Sequence, residues 1–298
     1  MDLTTILVPT DGSRTADRSL PYAAALANLM APAEIVLLTV LPLRNTGETR
    51  LPPPDHDNAE AFVRGRLAAA ARRLRRRGVS TVHTEVLWNL HEDEAILAAS
   101  RERDASLIVM GTHGRSGLSR ALLGSTTMSV LQHAECPVVV VPPGARVGEL
   151  QPRRILLPLD GSPESEQALP LAQRLAGRGV RVSLLRVVPT ASATTAWGGW
   201  GETYAPPTWL DEAVSAAEDY LRDIAITFPP GQATIAAVIE APAHAITQRA
   251  KEEQVDLILM TTHARSTLGR AFLGSVADRV VRSANVPVML VRPKGTKT

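Results

Sequence analysis

The chain has 298 residues, enough for two domains of ordinary size that each bury a core of their own. Apolar residues make up 45% and charged residues 21% of the sequence, which excludes a disordered or fibrous chain. The formal net charge is only +2, too small an excess of basic residues for a nucleic-acid-binding surface over the whole chain.

The cysteine count and the hydropathy pattern indicate where such a chain would work. Cys136 has no second cysteine to pair with, and neither a charged-then-apolar leader nor an apolar run of membrane-spanning length is present. We therefore expect a cytoplasmic protein without a membrane partner. Because Cys136 and the histidines lack metal-ligand spacing, no metal site is predicted.

An internal repeat divides the chain into two similar halves. The run ILVPTDGS at 6–13 returns as ILLPLDGS at 155–162, and 107–143 aligns without a gap on 257–293. Such a repeat, about 150 residues long, has the length of one domain. We predict domains over 1–144 and 153–298, joined by a linker over 145–152.

Within each half, short β-branched runs alternate with longer segments at helical spacing, a pattern typical of an α/β fold with a parallel sheet. The strands predicted in the first half lie near 4–9, 34–40, 81–87, 105–110 and 137–142. Its helices are a first one capped by Ser13, followed by 59–77, 92–102 and 125–134. The strands predicted in the second half lie near 153–158, 180–187, 233–239, 256–260 and 287–292, with Ser162 as the matching cap.

Two longer segments, 42–58 and 189–208, interrupt this alternation after the second strand of each half. The second of them holds Trp197 and Trp200, which suit either a small apolar cluster or a lid that contacts a ligand or partner. The sequence leaves both interpretations open.

Each half places an aspartate directly after its first strand, at Asp11 and Asp160. An Asp-Gly-Ser run can simply form an Asx turn or cap a helix. A carboxylate at the carboxyl edge of a parallel sheet can also bind ribose hydroxyls. The two interpretations stay open for an aspartate taken alone.

A glycine-bearing segment follows the fourth strand of the first half. Gly111 is followed after two residues by Gly114, and after nine more by Gly124 and Ser125, which open a helix. Main-chain N–H groups of such a segment, together with a helix N-terminus, form an anion site that needs no lysine. Taken alone, the glycines also fit a tight turn with positive φ.

With the strand before it, the helix after it and the upstream aspartate, this pattern resembles the ATP-binding subgroup of the universal stress protein family in its tandem, two-domain form. The resemblance implies two doubly wound domains, each with a five-stranded parallel sheet of order 3-2-1-4-5 and flanking helices. It implies ATP as the ligand, with Mg²⁺ or Mn²⁺ on its phosphates. By position, the binding residues of the first half are Pro9, Thr10, Asp11, Val40, Met110, Gly111, Gly114, Gly124, Ser125 and Thr126.

The second half keeps only part of this pattern. Asp160, Val187, Gly274 and Ser275 are retained, but Thr261 and Ala264 replace the first two glycines. A threonine where the main chain must approach phosphate, or take positive φ, would cost about 1–2 kcal/mol. We therefore expect nucleotide in the first half and weak or altered binding in the second.

The family also carries a Gly-x-Pro sequence before the third helix, and both halves depart from it. The first half has Leu90-His91-Glu92 there, and the second half has Glu240-Ala241-Pro242.

Other features are assigned no catalytic role. His113 and His263 lack a partner spaced for catalysis, and we interpret them as loop imidazoles bonded to main chain. The arginines at 72–77 are interpreted as the solvated face of an amphipathic helix, not as a nucleic-acid site. The last strands are apolar and would aggregate if exposed. The family resemblance implies that the two halves pair through these strands as an intramolecular pseudo-dimer, and a homodimer of two chains is also expected.

The sequence thus predicts an adenine-nucleotide-binding regulator or sensor of the stress response. No Walker sequence is present, so at most slow ATP hydrolysis is expected and no catalytic residue is assigned. Two alternatives stay open, a slow ATPase and an interaction scaffold that works without nucleotide.

Overall fold

The computed structural model describes most of the chain. The described residues are 4–13, 16–30, 32–45, 50–51, 55–112, 123–145, 152–189, 207–262 and 273–293. They divide into two compact units, the first made mainly of residues up to Gln151 and the second mainly of residues from Pro152 onwards. Among them, no helix is long and apolar enough to cross a membrane.

The first unit alternates strands and helices as the sequence predicts. Its strands are β1 (Thr5–Pro9), β2 (Glu34–Pro42), β3 (Arg44–Asn45), β4 (Arg50–Leu51), β5 (Val82–Asn89), β6 (Leu107–Gly111) and β7 (Val138–Val141). Its helices are α1 (Ser19–Leu29), which follows a 3-10 turn at Ala16–Arg18, then α2 (His56–Arg76), α3 (Glu92–Glu102) and α4 (Ser125–His133). The short strands β3 and β4 form an antiparallel pair within the segment predicted to be irregular.

The second unit repeats this order. Its strands are β8 (Arg154–Pro158), β9 (Arg181–Val188), β10 (Ala233–Ile239), β11 (Leu257–Thr261) and β12 (Val288–Val291). Its helices are α5 (Pro163–Glu166), α6 (Leu169–Ala176), α7 (Pro207–Ala225), α8 (Pro242–Glu252) and α9 (Ser275–Ser283).

The order of the strands confirms the predicted fold class. In the first unit the five longer strands run in the order β5-β2-β1-β6-β7, and in the second in the order β10-β9-β8-β11-β12. Every neighbouring pair within each unit is parallel. The connections run one way from β1 towards β2 and the other way from β1 to β6, so the winding direction changes between β1 and β6. A crevice is expected at the carboxyl ends of these two strands.

The strands are apolar on both faces because helices cover both sides of each sheet. Ile6, Leu7 and Val8 are fully buried in β1, as are Ile155, Leu156 and Leu157 in β8.

Cys136, just before β7, is buried too, and desolvation raises the pKa of its thiol to about 11. A buried thiol held in its protonated form is a poor nucleophile and a poor metal ligand.

The two serine caps end up in slightly different turns. The Ser162 hydroxyl accepts the Ser165 amide at the start of α5, as predicted. The Ser13 hydroxyl accepts the Ala16 amide at 3.1 Å, but this bond starts the 3-10 turn, and α1 begins only at Ser19.

Candidate functional site

A cavity of about 410 Å³ opens in the first unit at the carboxyl ends of β1 and β6. Apart from Gly114, the structure brings together around it all the binding residues that the sequence predicts for this half: Pro9, Thr10, Asp11, Val40, Met110, Gly111, Gly124, Ser125 and Thr126. Its volume is in the range of small-molecule sites. The residues Gly114, His113, Trp197, Trp200, His263 and Ala264 lie outside the described residues.

Further residues line the cavity that the sequence analysis did not assign to it: Ala16, Pro42, Asn89, Leu90, Glu92, Ile96 and Thr127. Asn89 is the last residue of β5 and Pro42 the last of β2, so the rule that identified Asp11 and Gly111 at strand ends could have found them. Ile96 and Thr127 lie inside helices, where no motif marks them.

The turn after β1 holds Asp11 by a small set of hydrogen bonds. The Ser13 amide donates to Asp11 Oδ1 at 2.8 Å, and the Gly12 amide donates to Thr10 Oγ1 at 3.0 Å. Gly12 takes a φ of +71°, a left-handed conformation that glycine adopts without steric cost. The Asx turn considered as an alternative is therefore present, and it uses one of the two carboxylate oxygens.

The second oxygen, Asp11 Oδ2, is buried and has no hydrogen-bond partner among the described residues. A buried acceptor without a donor costs about 1–3 kcal/mol, and a charged acceptor costs more. A hydroxyl group of a ligand that donates to this carboxylate would remove that cost. The Asx turn and a role in ligand binding are thus compatible at Asp11.

The N-terminal end of α4 also lines the cavity, through Gly124, Ser125 and Thr126. Gly124 is the residue before the helix, and no side chain caps the first turn. The Gly124 amide donates to Thr112 O at 2.9 Å, and the Thr127 hydroxyl donates to Gly111 O at 3.1 Å, which fixes the start of α4 against the end of β6. The first-turn amides of a helix have no partner within it and favour a bound anion.

Glu92 introduces a negative charge beside this helix N-terminus. The Thr126 hydroxyl donates to Glu92 Oε2 at 3.1 Å, and the Ser129 hydroxyl donates at 2.5 Å to Oδ2 of Asp93, the residue after Glu92. The bond from Ser129 lowers the pKa of Asp93 below its ordinary value. The start of α3 therefore brings carboxylates to the first turns of α4, and Glu92 itself lines the cavity.

The structure corrects one reason given for the glycine at position 111. Gly111 is the last residue of β6, and it is not among the described residues with positive φ. Thr261 takes the equivalent position at the end of β11, also without positive φ. Backbone strain at this position therefore does not separate the two halves.

The second unit keeps the aspartate turn but changes the residues around it. The Ser162 amide and hydroxyl both donate to Asp160 Oδ1, at 3.0 and 2.6 Å, and Gly161 has a φ of +78°. Asp160 is exposed, whereas Asp11 is half-buried. Pro242 begins α8 where Glu92 begins α3, and Val276 and Ala277 follow Ser275 where Thr126 and Thr127 follow Ser125.

An arginine also packs beside the second aspartate turn. Arg186, next to Val187 on β9, lies so close to Gly161 that a Cβ there would collide with its Nη1 atom. Its guanidinium lies 4.7 Å from the centroid of the Tyr220 ring, whose hydroxyl donates to Glu166 at 2.8 Å. Burial and this bond to Glu166 raise the pKa of Tyr220.

Among the described residues, no group of histidine, cysteine and acidic side chains in either unit could hold a metal ion.

Comparisons with known proteins show the family and the fold of this chain. The model of the universal stress protein family matches twice, over residues 3–142 and 152–292. A universal stress protein of Mycolicibacterium smegmatis is 32% identical over 221 residues, which cover 72% of this chain and 70% of that protein. A second, of Mycobacterium tuberculosis, is 28% identical over 297 residues and 96% of both chains. The crystal structure of a universal stress protein from Archaeoglobus fulgidus has the same fold, with a TM-score of 0.70 at 19% identity over 98% of this chain and 97% of that one.

Proposed function

Because this chain belongs to the universal stress protein family, we propose that its first unit binds an adenine nucleotide, ATP in the first place, and that binding regulates a response to stress. The observation that carries this proposal is the single cavity that joins the Asp11 carboxylate to the N-terminus of α4. One wall offers an acceptor for sugar hydroxyls, and the opposite wall offers main-chain donors for phosphate.

Each part of the nucleotide has a matching part of the cavity. The ribose hydroxyls would donate to Asp11, and the phosphates would accept from the main chain of Gly111, Gly124, Ser125 and Thr126. The adenine would lie against the apolar side chains on the remaining wall: Pro9, Val40, Pro42, Leu90, Ile96 and Met110. Gly114 would add further amides on the phosphate side.

The chemistry of the lining favours binding over phosphoryl transfer. No lysine or arginine lines the cavity among the described residues, so none is placed there to stabilise a transferring phosphate. The Glu92 carboxylate and the Ser125 and Thr126 hydroxyls are oxygen donors of the kind that Mg²⁺ and Mn²⁺ prefer. These residues would hold a divalent cation that neutralises the charge of the phosphates.

The second unit is proposed to bind nucleotide weakly or not at all. Asp160, Val187, Gly274 and Ser275 are in place, but Thr261 adds a side chain where the main chain would meet phosphate, and Asp160 is exposed. A cytoplasmic location, pairing of the halves through their last strands and a homodimer stay predictions from the sequence.

The direct test of this function is mass spectrometry of small molecules released when the purified full chain is denatured. An adenine nucleotide is expected from the natural sequence and a much smaller amount from Asp11→Ala. If both proteins release none, and added ATP produces no binding heat, the proposed function is wrong.

A prediction about Glu92 follows from its place beside the phosphate side of the cavity. Replacing it by glutamine keeps an acceptor for the Thr126 hydroxyl but removes a negative charge from the lining on the side proposed for the phosphates. Affinity for ATP measured by calorimetry without divalent cations is expected to rise about threefold to tenfold. With excess Mg²⁺ the gain is expected to disappear, because the variant also removes a carboxylate that would hold the cation.

Glu94→Gln is the matched control, since Glu94 is exposed on the same helical turn and does not line the cavity. Equal changes in both variants, or a loss of affinity in Glu92→Gln under both conditions, would contradict the position given to the phosphates.

A further inference from the structure

Two equivalent helices of the repeat carry opposite charge. Between His56 and Arg76, α2 has six arginines and two carboxylates. Between Pro207 and Ala225, α7 has five carboxylates and one arginine. The whole chain is close to neutral, so the contrast is local to these helices. Each packs on its own sheet, α2 against β5 and α7 against β10, and each turns its charged side away from that sheet.

The most exposed large apolar side chains among the described residues belong to the same two segments. Phe62 on α2 is 67% exposed, and Ile226, one residue beyond α7, is 82% exposed. The Ile226 amide still donates to Arg222 O at 3.2 Å, so the residue continues the helical path of α7. Single exposed apolar side chains are common on protein surfaces, so these two matter here only because each lies at the end of a charged stripe.

The two stripes have the same spacing. On α2 the stripe consists of Phe62, Arg66, Ala69, Arg73 and Arg76. On α7 the stripe consists of Glu212, Ala216, Asp219, Asp223 and Ile226. Both follow the spacing i, i+4, i+7, i+11, i+14, which keeps five residues on one face of a helix over about 21 Å.

Placed antiparallel, the stripes complement each other at three of their five positions. Phe62 meets Ile226, Arg66 meets Asp223, and Arg76 meets Glu212. The remaining charges are already paired within their own unit. Arg73, opposite Ala216, forms an ion pair with Asp17 at 2.6 Å, and Asp219, opposite Ala69, forms one with Arg222.

The antiparallel direction is also favoured by the helix macrodipoles, because each N-terminus then lies beside the other helix's C-terminus. Phe62, Arg66, Arg76, Glu212, Asp223 and Ile226 are all exposed among the described residues, and the Arg66 guanidinium lies 5.9 Å from the centroid of the Phe62 ring. Each chain offers one stripe of each kind and can therefore recognise a second copy of itself.

We propose that α2 of one copy of this chain docks antiparallel on α7 of a second copy, in the register that places Phe62 on Ile226 and Arg76 on Glu212. One helix pair buries little surface, so the association is weak and depends on salt. This contact is independent of nucleotide binding in the first unit.

Sedimentation velocity of the full chain tests this contact, with loading concentrations from about 10 to 300 μM at low salt. Association that rises with concentration is expected, and it should fall in about 0.5 M salt, where charges are screened within a few ångströms. Arg76→Glu is expected to weaken association at least fivefold, because it places like charges opposite each other. Combining Arg76→Glu with Glu212→Arg in one chain is expected to restore it.

Arg101→Glu is the matched control, because Arg101 is an exposed arginine in the last turn of α3, as Arg76 is in the last turn of α2. It makes the same change in net charge and the same change at a helix C-terminus, and it should leave association unaltered. The proposal is overturned if the chain stays monomeric at all concentrations, or if Arg76→Glu and Arg101→Glu change association equally. It is also overturned if the variant that combines Arg76→Glu with Glu212→Arg does not regain association.

Discussion

Replacing Asp11 by alanine is expected to lower the affinity for ATP about 10- to 100-fold. The carboxylate would accept hydrogen bonds from ribose, and a bond to a charged acceptor contributes about 1.5–3 kcal/mol. Titration calorimetry of the full chain measures the loss. Asp11→Asn should give a smaller loss, because the amide oxygen can still accept the Ser13 amide and keep the turn that Asp11 Oδ1 now holds.

Asp160→Ala is the control for this result. Asp160 holds the same turn through the Ser162 amide, so its removal has a similar local cost in the other unit. ATP affinity should remain unchanged in this variant. An equal loss of ATP affinity in both variants would mean that both units bind ATP. An unchanged affinity in Asp11→Ala would mean that Asp11 does not bind the ribose.

Replacing Leu37 by alanine is expected to lower the unfolding free energy of the first unit by about 2–5 kcal/mol, the range for deleting a fully buried leucine side chain. Leu37 has no exposed surface and lies in the middle of β2, between Val8 of β1 and Thr84 of β5. Leu184→Ala is its counterpart on β9, equally buried between Leu157 and Ile235.

The two leucine variants differ in their response to ligand. ATP at 100 times its dissociation constant stabilises the unit that binds it by about 2.7 kcal/mol. Hydrogen exchange measured by mass spectrometry on peptides from each unit should therefore show recovered protection in the first unit of Leu37→Ala. The second unit of Leu184→Ala should show none. Recovery in the second unit would contradict the proposed asymmetry.

The sequence alone predicts the sheet and the strand-end part of the candidate site. The buried strands form apolar runs and the helices have a 3.6-residue period, so each strand was placed to within two or three residues. The position of Asp11 follows from the rule that parallel strands gather their carboxyl ends at one edge, and that of Gly111 from the glycine spacing and the family resemblance. The strand order 3-2-1-4-5 came from the family resemblance and not from the pattern.

The parts that the sequence did not predict depend on packing between distant segments. Glu92 was noted only as a departure from the family pattern, because its distance to Thr126 depends on how α3 packs on α4. The acidic residues of α7 lie beyond the irregular segment 189–208, where the repeat predicts a helix, but no sequence motif marks their charge as part of a binding surface. The arginines of α2 are therefore predicted from the sequence only as a solvated face.

Titration calorimetry of the full chain with ATP and Mg²⁺, including the number of sites, tests the central claim most directly. One nucleotide per chain is expected, with binding strongly weakened by Asp11→Ala and unaltered by Asp160→Ala. Two equal sites per chain, or no binding heat to a well-folded protein free of nucleotide, would contradict the claim.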